Sequence, residues 1–342
     1  MKKVNTKIKK ITVAVIIPFY NGSIFIERAL ISVAGQTIPA DEVIVVNDGS
    51  VTEEKESLYK LQEKYNFEII DKENGGQGSA RNLGVASCKS DYVSFLDQDD
   101  FYLENHIEIL VDAIPLRDFL LGFIYADLYE ADGDGNIIRT SMVNDYTTHP
   151  KQRIVDLLRY DMFVLPSASL ISIKSFKAVG GFDEQFTGYE DDDLFMRIFR
   201  KGFSNYFVKQ PVTVWCIHFA STSYGIKMIQ SRYRYFIKLV GLFPDDLDRN
   251  HYYLRDCLIP RFGNMFILDA IRAVNKNYQH REEVNFILKK YAEKIYESKT
   301  VPNKSKFKLY LIVSLITLPS VSFVRFLILA RRYSMFNRIF RF

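Results

Sequence analysis

Short apolar runs alternate with amphipathic stretches through the first hundred residues of the chain. The runs Thr12–Ile17, Glu42–Val46, Phe67–Ile70 and Tyr92–Leu96 are rich in β-branched and aromatic residues and read as buried strands. The spacing between them predicts helices. Ser23 caps one whose Ile26, Leu30 and Val33 share a face. Glu53–Tyr65 carries Leu58 and Leu61 at helical spacing, and Gly78–Ala86 forms a short third helix. Apolar strands alternating with helices predict an α/β fold built on an open, mostly parallel sheet covered on both faces.

Further along, Leu103–Ile114 reads as a helix with Ile107, Leu110, Val111 and Ile114 on one face. Phe119–Glu130 and Val212–Ile217 read as strands, and Asp132-Gly133-Asp134-Gly135 as a tight hairpin turn. Ile154–Phe163 and Leu170–Ile173 form further elements. After about Tyr224 the texture becomes helical and aromatic-rich, as in Ile226–Leu242. The expected division is 1–100, 101–225 and a helical, basic region 226–342.

Each of the first four strands leads into a polar cluster: Pro18–Asn21, Asn47–Ser50, Gly75–Arg81 and Asp97–Asp100. Ligands of such sheets collect outside the carboxyl ends of the strands, so four clusters are expected to face one crevice. The last cluster packs Asp97, Asp99 and Asp100 into four residues. Crowded carboxylates repel and resist desolvation, and a divalent cation such as Mg2+ or Mn2+ relieves both costs. An acidic cap on a strand-to-helix turn is the plainer alternative.

A second constellation joins Gly180-Gly181-Phe182-Asp183-Glu184 to Glu190-Asp191-Asp192-Asp193. Four acids opening an amphipathic helix suit its dipole. Functionally, one of them can project into a cleft as a general base. His218 ends the strand Val212–Ile217, with Ser221 and Ser223 beyond, and is a candidate metal ligand or phosphate contact. His106 reads as structural.

Composition changes the picture little. The chain has 342 residues, 48% hydrophobic and 25% charged, which is ordinary for a globular protein. Cys88, Cys216 and Cys257 lack metal-knuckle spacing and read as reduced thiols. Charge distribution is more telling. Five lysines lie in the first ten residues, and nine Lys or Arg with no acid fill the stretch from Lys299 to Phe342. The start has no small-residue cleavage site, so Ile11–Ile17 reads as a strand and the active face is expected at the cytoplasmic side. Leu309–Val324 holds sixteen uncharged residues, interrupted by Pro319. A spanning helix needs about 20 apolar residues. Peripheral or re-entrant docking on an anionic membrane is therefore expected over a full span or a soluble hairpin, and nucleic acid is not an expected partner.

The ordered segments Ile16-Ile17-Pro18-Phe19-Tyr20-Asn21, Ser32–Thr37, Val45-Val46-Asn47-Asp48-Gly49-Ser50, Asn74–Asn82 and Phe95–Asp100, with Gly180–Asp183 and Glu190-Asp191, resemble family 2 glycosyltransferases. The resemblance covers about residues 11–225. It implies a GT-A fold, a nucleotide-sugar donor (UDP by family frequency), a divalent metal and inverting transfer. It further implies that Pro18, Tyr20, Asn21, Asp48, Gly49, Arg81 and Asp97 bind the donor, with Tyr20 stacking on the base and Asp48 accepting its ring N–H. Asp97, Asp99, Asp100 and His218 would hold the metal. Asp191, with Glu190 beside it, would be the base. Gln98 stands where Ser is common and Gly35 where Asn is usual, both read as remote from the chemistry. The expected role is a bacterial-type, membrane-associated enzyme of surface polysaccharide assembly, acting on a glycan or lipid-linked glycan. Rival readings are a polyprenyl-phosphate sugar transferase of the same fold and a non-catalytic sugar- or membrane-binding module. A sugar nucleotidyltransferase is disfavoured, because Pro18–Ser23 holds no Gly-rich phosphate loop with a Lys or Arg.

Overall fold

A computed structural model describes residues 10–218, 225–275 and 279–318. The chain forms two compact units, one of residues 1–152 with 162–221, the other of 153–161 with 222–342.

The first unit carries a nine-stranded sheet. It opens with β1 (Val13–Phe19), α1 (Ser23–Ala34), β2 (Glu42–Asp48), α2 (Thr52–Gln62), β3 (Glu68–Lys72), α3 (Gln77–Ser87) and β4 (Tyr92–Phe95). These four strands are parallel, in the order β3-β2-β1-β4. All seven residues of β1 are buried, as coverage on both faces requires. The chain runs from β1 to β2 on one side and returns to β4 on the other. Strand order therefore reverses beside β1, and a crevice opens there at the carboxyl ends.

The sheet continues through β5 (Phe101–Tyr102), α4 (His106–Asp112), β6 (Leu121–Asp132) and β7 (Ile137–Arg139). After α5 (Ile154–Arg159), which belongs to the second unit, come β8 (Ser169–Ser172), α6 (Ile173–Ala178), α7 (Glu190–Arg200) and β9 (Ser204–Ile217). β8 lies antiparallel between β4 and β6, β9 runs parallel to β6, and β5 pairs antiparallel with β9. The sheet is thus mixed, with β1–β4 all parallel to one another and β8 antiparallel to its two neighbours. The β6–β7 hairpin turns through Asp132–Gly135 as expected, with the Gly135 N–H donating to Asp132 O at 3.0 Å.

Three local expectations change. Ser23 does not cap α1. Its N–H donates instead to Glu54 Oε2 at 2.8 Å, while Gly22 C=O accepts from Phe25 and Ile26. The helix expected from Leu103 begins only at His106, because Leu103 N–H extends the edge pairing to Val212 O. β9 starts eight positions earlier than its apolar part, since the polar half Ser204–Pro211 pairs with β6 through register shifts at Ala126–Leu128.

His106 is structural. Nε2 lies 2.9 Å from Ser94 Oγ, Nδ1 lies 3.1 Å from Thr213 Oγ1, and the ring stacks on Tyr102 with centroids 3.6 Å apart. Burial lowers its pKa from 6.5 to about 3. The folded state takes this proton less readily than the unfolded chain. The resulting stability is complete above pH 6.5 and is lost as pH falls toward 3. This one group gives the unfolding free energy a slope of up to about 1.4 kcal/mol per pH unit. His106→Gln should flatten the slope by about one proton between roughly pH 6 and pH 4 in urea titrations. An unchanged slope would contradict the assignment.

The second unit is helical: α5, α8 (Ile226–Leu242), a π-helical turn Leu254–Leu258, α9 (Ile259–Asn275), α10 (Arg281–Glu297) and α11 (Asn303–Ile316). Its core is aromatic. Tyr235, Phe236, Phe262, Phe266 and Tyr291 are fully buried, with Phe236 edge-on to Tyr291 at 5.2 Å. Arg232 pairs with Asp269, and buried Arg261 donates to Leu157 O at 2.8 Å. The three cysteines are buried and unbridged. Among the described residues no helix is long and apolar enough to cross a membrane. Ser221, Ser223, Pro319 and the arginines from Arg325 to Arg341 lie outside the described residues.

Candidate active site

The four strand-end clusters meet at the switch point beside β1. After β1, Tyr20 projects with 50% of its surface exposed. The Gln98 amide, following β4, grips the Tyr20 backbone twice. Its Oε1 accepts Tyr20 N–H at 2.9 Å and its Nε2 donates to Tyr20 O at 3.2 Å. A Cβ on Gly22 would fall 2.3 Å from that amide, so glycine leaves room for it. Asn21 takes a left-handed φ of 45°. Its Oδ1 accepts Val51 N–H and its N–H donates to Ser50 Oγ, stitching the loop after β1 to the loop after β2.

Asp48, at the end of β2, is buried and occupied. Oδ1 accepts from Lys72 Nζ at 2.6 Å and from Gly75 N–H at 2.9 Å, and Oδ2 accepts from Gly76 N–H at 2.7 Å. Gly49 has φ +75°, and a Cβ there would sit 2.6 Å from Asn74 N, so the turn excludes other residues. Pro18 lies within β1 and pairs with Val46.

Arg81, on α3, is 2% exposed and bridges the two acidic constellations. Nη2 lies 2.5 Å from Asp97 Oδ1 and Nη1 lies 3.3 Å from Glu190 Oε1. Its guanidinium sits 5.7 Å from the Phe95 ring and 5.2 Å from the Phe182 ring. Burial pulls its pKa down, but Asp97, Glu190 and Asp191 outweigh that and hold it above the ordinary value. Gln77 Nε2 adds a 2.6 Å bond to Asp97 Oδ1.

The three carboxylates after β4 take three environments. Asp97 faces Arg81 and Gln77. Asp99 Oδ2 lies 2.7 Å from His218 Nε2. Burial, then the Asp97 charge, raises the Asp99 pKa against the pull of His218. Asp100 is buried against β9, where Oδ1 accepts Cys216 N–H at 2.9 Å and Ser167 adds a side-chain bond. Burial and the charges of Asp99 and Asp97 raise it well above the usual carboxylate range. The four-residue metal set of Asp97, Asp99, Asp100 and His218 is therefore not assembled. Among the described residues no three His, Cys, Asp or Glu side chains form a metal-binding group. Asp99 and His218 are the pair in contact. Asp100 is spent on holding the loop to β9.

The acids of α7 also separate. Glu190 faces Arg81, and burial raises its pKa although Arg81 opposes this. Asp192 Oδ1 accepts Met162 N–H at 3.3 Å, and Asp193 Oδ2 receives Arg197 Nε at 2.7 Å. Glu190, Asp192 and Asp193 are buried, whereas Asp191 is half-buried, with Oδ1 accepting Asp192 N–H at 2.8 Å. Asp191 and the Asp97 loop thus share Arg81 as electrostatic neighbour.

Two helix residues were not singled out by the sequence. Phe25 stacks on His218 at 4.8 Å. One turn on, Arg28 donates to Asp99 O at 2.7 Å, Gly133 O at 3.2 Å and Cys216 Sγ at 3.3 Å. Their three-residue spacing on α1 was a legible signal, but their target lies about 70 to 190 positions away. Gln98, read as remote from the chemistry, is instead built into the Tyr20 loop.

Residues 14–178 match the family model described as Glycosyl transferase family 2, and residues 159–219 one described as the N-terminal domain of galactosyltransferase. An uncharacterized glycosyltransferase of Rickettsia prowazekii is 32% identical over 218 residues, covering 62% of this chain and 65% of that protein. A chondroitin synthase of Escherichia coli is 27% identical over 194 residues, 56% of this chain and 27% of that one. The chain spans less than a third of three further Rickettsia glycosyltransferases, for example 27% of that of Rickettsia bellii. Among solved structures, S. aureus TarS 1-349 in complex with UDP-GlcNAc aligns with a TM-score of 0.57 at 17% identity, covering 94% of this chain and 92% of that one. The mannosyltransferase PcManGT from Pyrobaculum calidifontis, in complex with GDP-Man and Mn2+, aligns with a TM-score of 0.55 at 14% identity, covering 94% and 87%. At these identities the likeness establishes the fold.

Proposed function

Because the chain belongs to glycosyltransferase family 2, we propose that it moves a sugar from a nucleoside diphosphate donor, of the UDP class, to a hydroxyl of a glycan or lipid-linked glycan, with inversion. The observation that carries this reading is the Arg81 bridge, which ties donor-side Asp97 to the first turn of α7. The UDP-GlcNAc complex of TarS and the GDP-Man complex of PcManGT support a nucleotide-sugar donor.

In this reading Tyr20 stacks on the base, and Asp48 uses the one acceptor site left on Oδ2 for the ring N–H. Arg81 and Asp97 stand where the diphosphate arrives. Asp191, the α7 acid left half-buried, takes the proton from the acceptor hydroxyl. In-line attack then forms the new glycosidic bond as the anomeric C–O bond to the diphosphate breaks, which inverts the carbon without a covalent intermediate. Surface polysaccharide assembly is the proposed setting, suggested by the resemblance to chondroitin synthase.

Asp99 and His218 fit a divalent metal. A buried carboxylate that a neighbouring Asp97 charge makes costly to ionise is relieved by a cation, and mixed carboxylate-imidazole donors suit Mn2+ as well as Mg2+. When bound, such an ion neutralises charge gathering on the departing diphosphate.

Gln98 is a positioning residue here. Losing its two bonds to Tyr20 should weaken UDP binding about five- to thirty-fold, from about 1–2 kcal/mol. Calorimetry on Gln98→Ala checks this, and an unchanged Kd would leave Gln98 with no role.

The whole reading is tested by a nucleotide-sugar panel, following UDP release with and without EDTA. Release from one donor, abolished by EDTA, is expected. No release from any donor would favour the non-catalytic module, and turnover only with polyprenyl phosphate would favour the rival transferase.

We also propose that the enzyme works at the cytoplasmic membrane surface. The exposed side of α11 carries Lys304, Phe307, Tyr310 and Leu311. Removing residues 304–342 should abolish sedimentation with phosphatidylglycerol vesicles. Continued pelleting would locate the anchor elsewhere.

A further inference from the structure

We propose that Arg28 is a positioning residue for the divalent cation, a backbone clamp that keeps Asp99 and His218 facing each other; this rests on the metal reading above. The pair comes from segments far apart in the chain. Asp99 lies in the loop after β4, and His218 follows β9. The turn of the β6–β7 hairpin adjoins His218, because Asp132 pairs with Ile217. A Cβ on Gly133, in that turn, would fall only 3.3 Å from His218 Cβ.

One guanidinium touches all three segments. Nη2 donates to Asp99 O at 2.7 Å and to Cys216 Sγ at 3.3 Å, and Nη1 donates to Gly133 O at 3.2 Å. It sits 5.1 Å from the centre of the Phe101 ring, and Phe101 in turn pairs with Val214 of β9. One turn earlier on α1, Phe25 stacks on the His218 ring, with planes 21° from parallel. Residues three apart share a helix face. A single face of α1 therefore supports the main chain of one ligand and the ring of the other.

The acceptors of Arg28 are neutral, two carbonyls and a buried thiol. What they exploit is the fixed geometry of its planar fork. The charge acts in the opposite direction. A guanidinium bonded to the main chain of Asp99 repels a divalent cation at the Asp99 carboxylate. Groups that orient metal ligands are nonetheless worth about 10–100-fold in metal affinity. Charge and positioning thus predict opposite signs when Arg28 is replaced, and a purely structural brace predicts no change.

The test titrates Mn2+ into the full chain and counts the free ion by electron paramagnetic resonance. Arg28→Met keeps the aliphatic stem over Phe101 and removes every donor. Its Mn2+ affinity should fall at least about tenfold. Arg28→Lys keeps the charge and guards against misfolding, but one ammonium cannot reproduce the fork, so a loss of about threefold or more is expected. UDP affinity in EDTA, by calorimetry, should stay within about twofold in both. Mn2+ affinity unchanged or raised in Arg28→Met, or in Arg28→Lys if the first variant does not fold, overturns the clamp. So does an equal loss of UDP affinity in EDTA. Asp99→Ala is run alongside. A parent that binds no Mn2+, or whose Mn2+ binding survives Asp99→Ala, instead strikes the metal assignment and the clamp with it.

Discussion

Asp191→Asn loses transfer by at least about a thousandfold while its UDP affinity stays within about twofold, the upper part of the range for a positioned general base. The substitution keeps the shape of the side chain and the bond to the Asp192 N–H can persist, so the fold of α7 is spared. Only the capacity to take a proton goes. Glu190→Gln is the informative contrast. Glu190 faces Arg81, so its loss leaves a buried guanidinium short of a partner and should lower stability and donor binding together. Initial rates at saturating donor, with UDP binding by calorimetry, separate the two. If Asp191→Asn keeps more than about a tenth of the activity, the base lies elsewhere.

Asp99→Ala should weaken Mn2+-dependent UDP binding more than about a hundredfold. Loss of an outer-shell partner alone costs about 10–100-fold in metal affinity, and a direct ligand is worth more. The same change removes a buried carboxylate whose ionisation is opposed by burial and by Asp97. Without metal the variant gains that relief but loses the 2.7 Å contact with His218 Nε2, so its stability should stay close to the parent's. That combination, weaker metal-linked binding with stability near the parent's, distinguishes a ligand from a structural contact such as Asp100, whose removal strands the Cys216 N–H. Asp100→Ala should accordingly unfold at lower urea.

Much of this was legible because parallel strands impose it. Once four apolar runs alternate with helices, their following turns must emerge at one edge. The contacts of Tyr20 with Gln98, Asn21 with Val51 and Asp48 with Gly76 realise that geometry. The sequence could not say which acid does what. Asp99 and Asp100 are neighbours with identical side chains. They diverge because one meets His218 and the other meets the backbone of β9, more than 110 positions along. Likewise Glu190 and Asp191 are separated only by which one faces Arg81. The role of Gln98 was not legible, because a side chain binding a distant backbone leaves no periodic trace. The polar half of β9 was missed because its strand character comes from pairing with β6, which overrides local propensity.

The most direct trial of the account is a crystal structure of the protein with UDP and Mn2+, located by the anomalous signal of manganese. A peak touching the Asp99 carboxylate and His218 is expected, with the diphosphate beside Arg81 and Asp191 across the same pocket. Metal and nucleotide bound away from Asp99, or Asp191 facing a surface outside the nucleotide pocket, would contradict it.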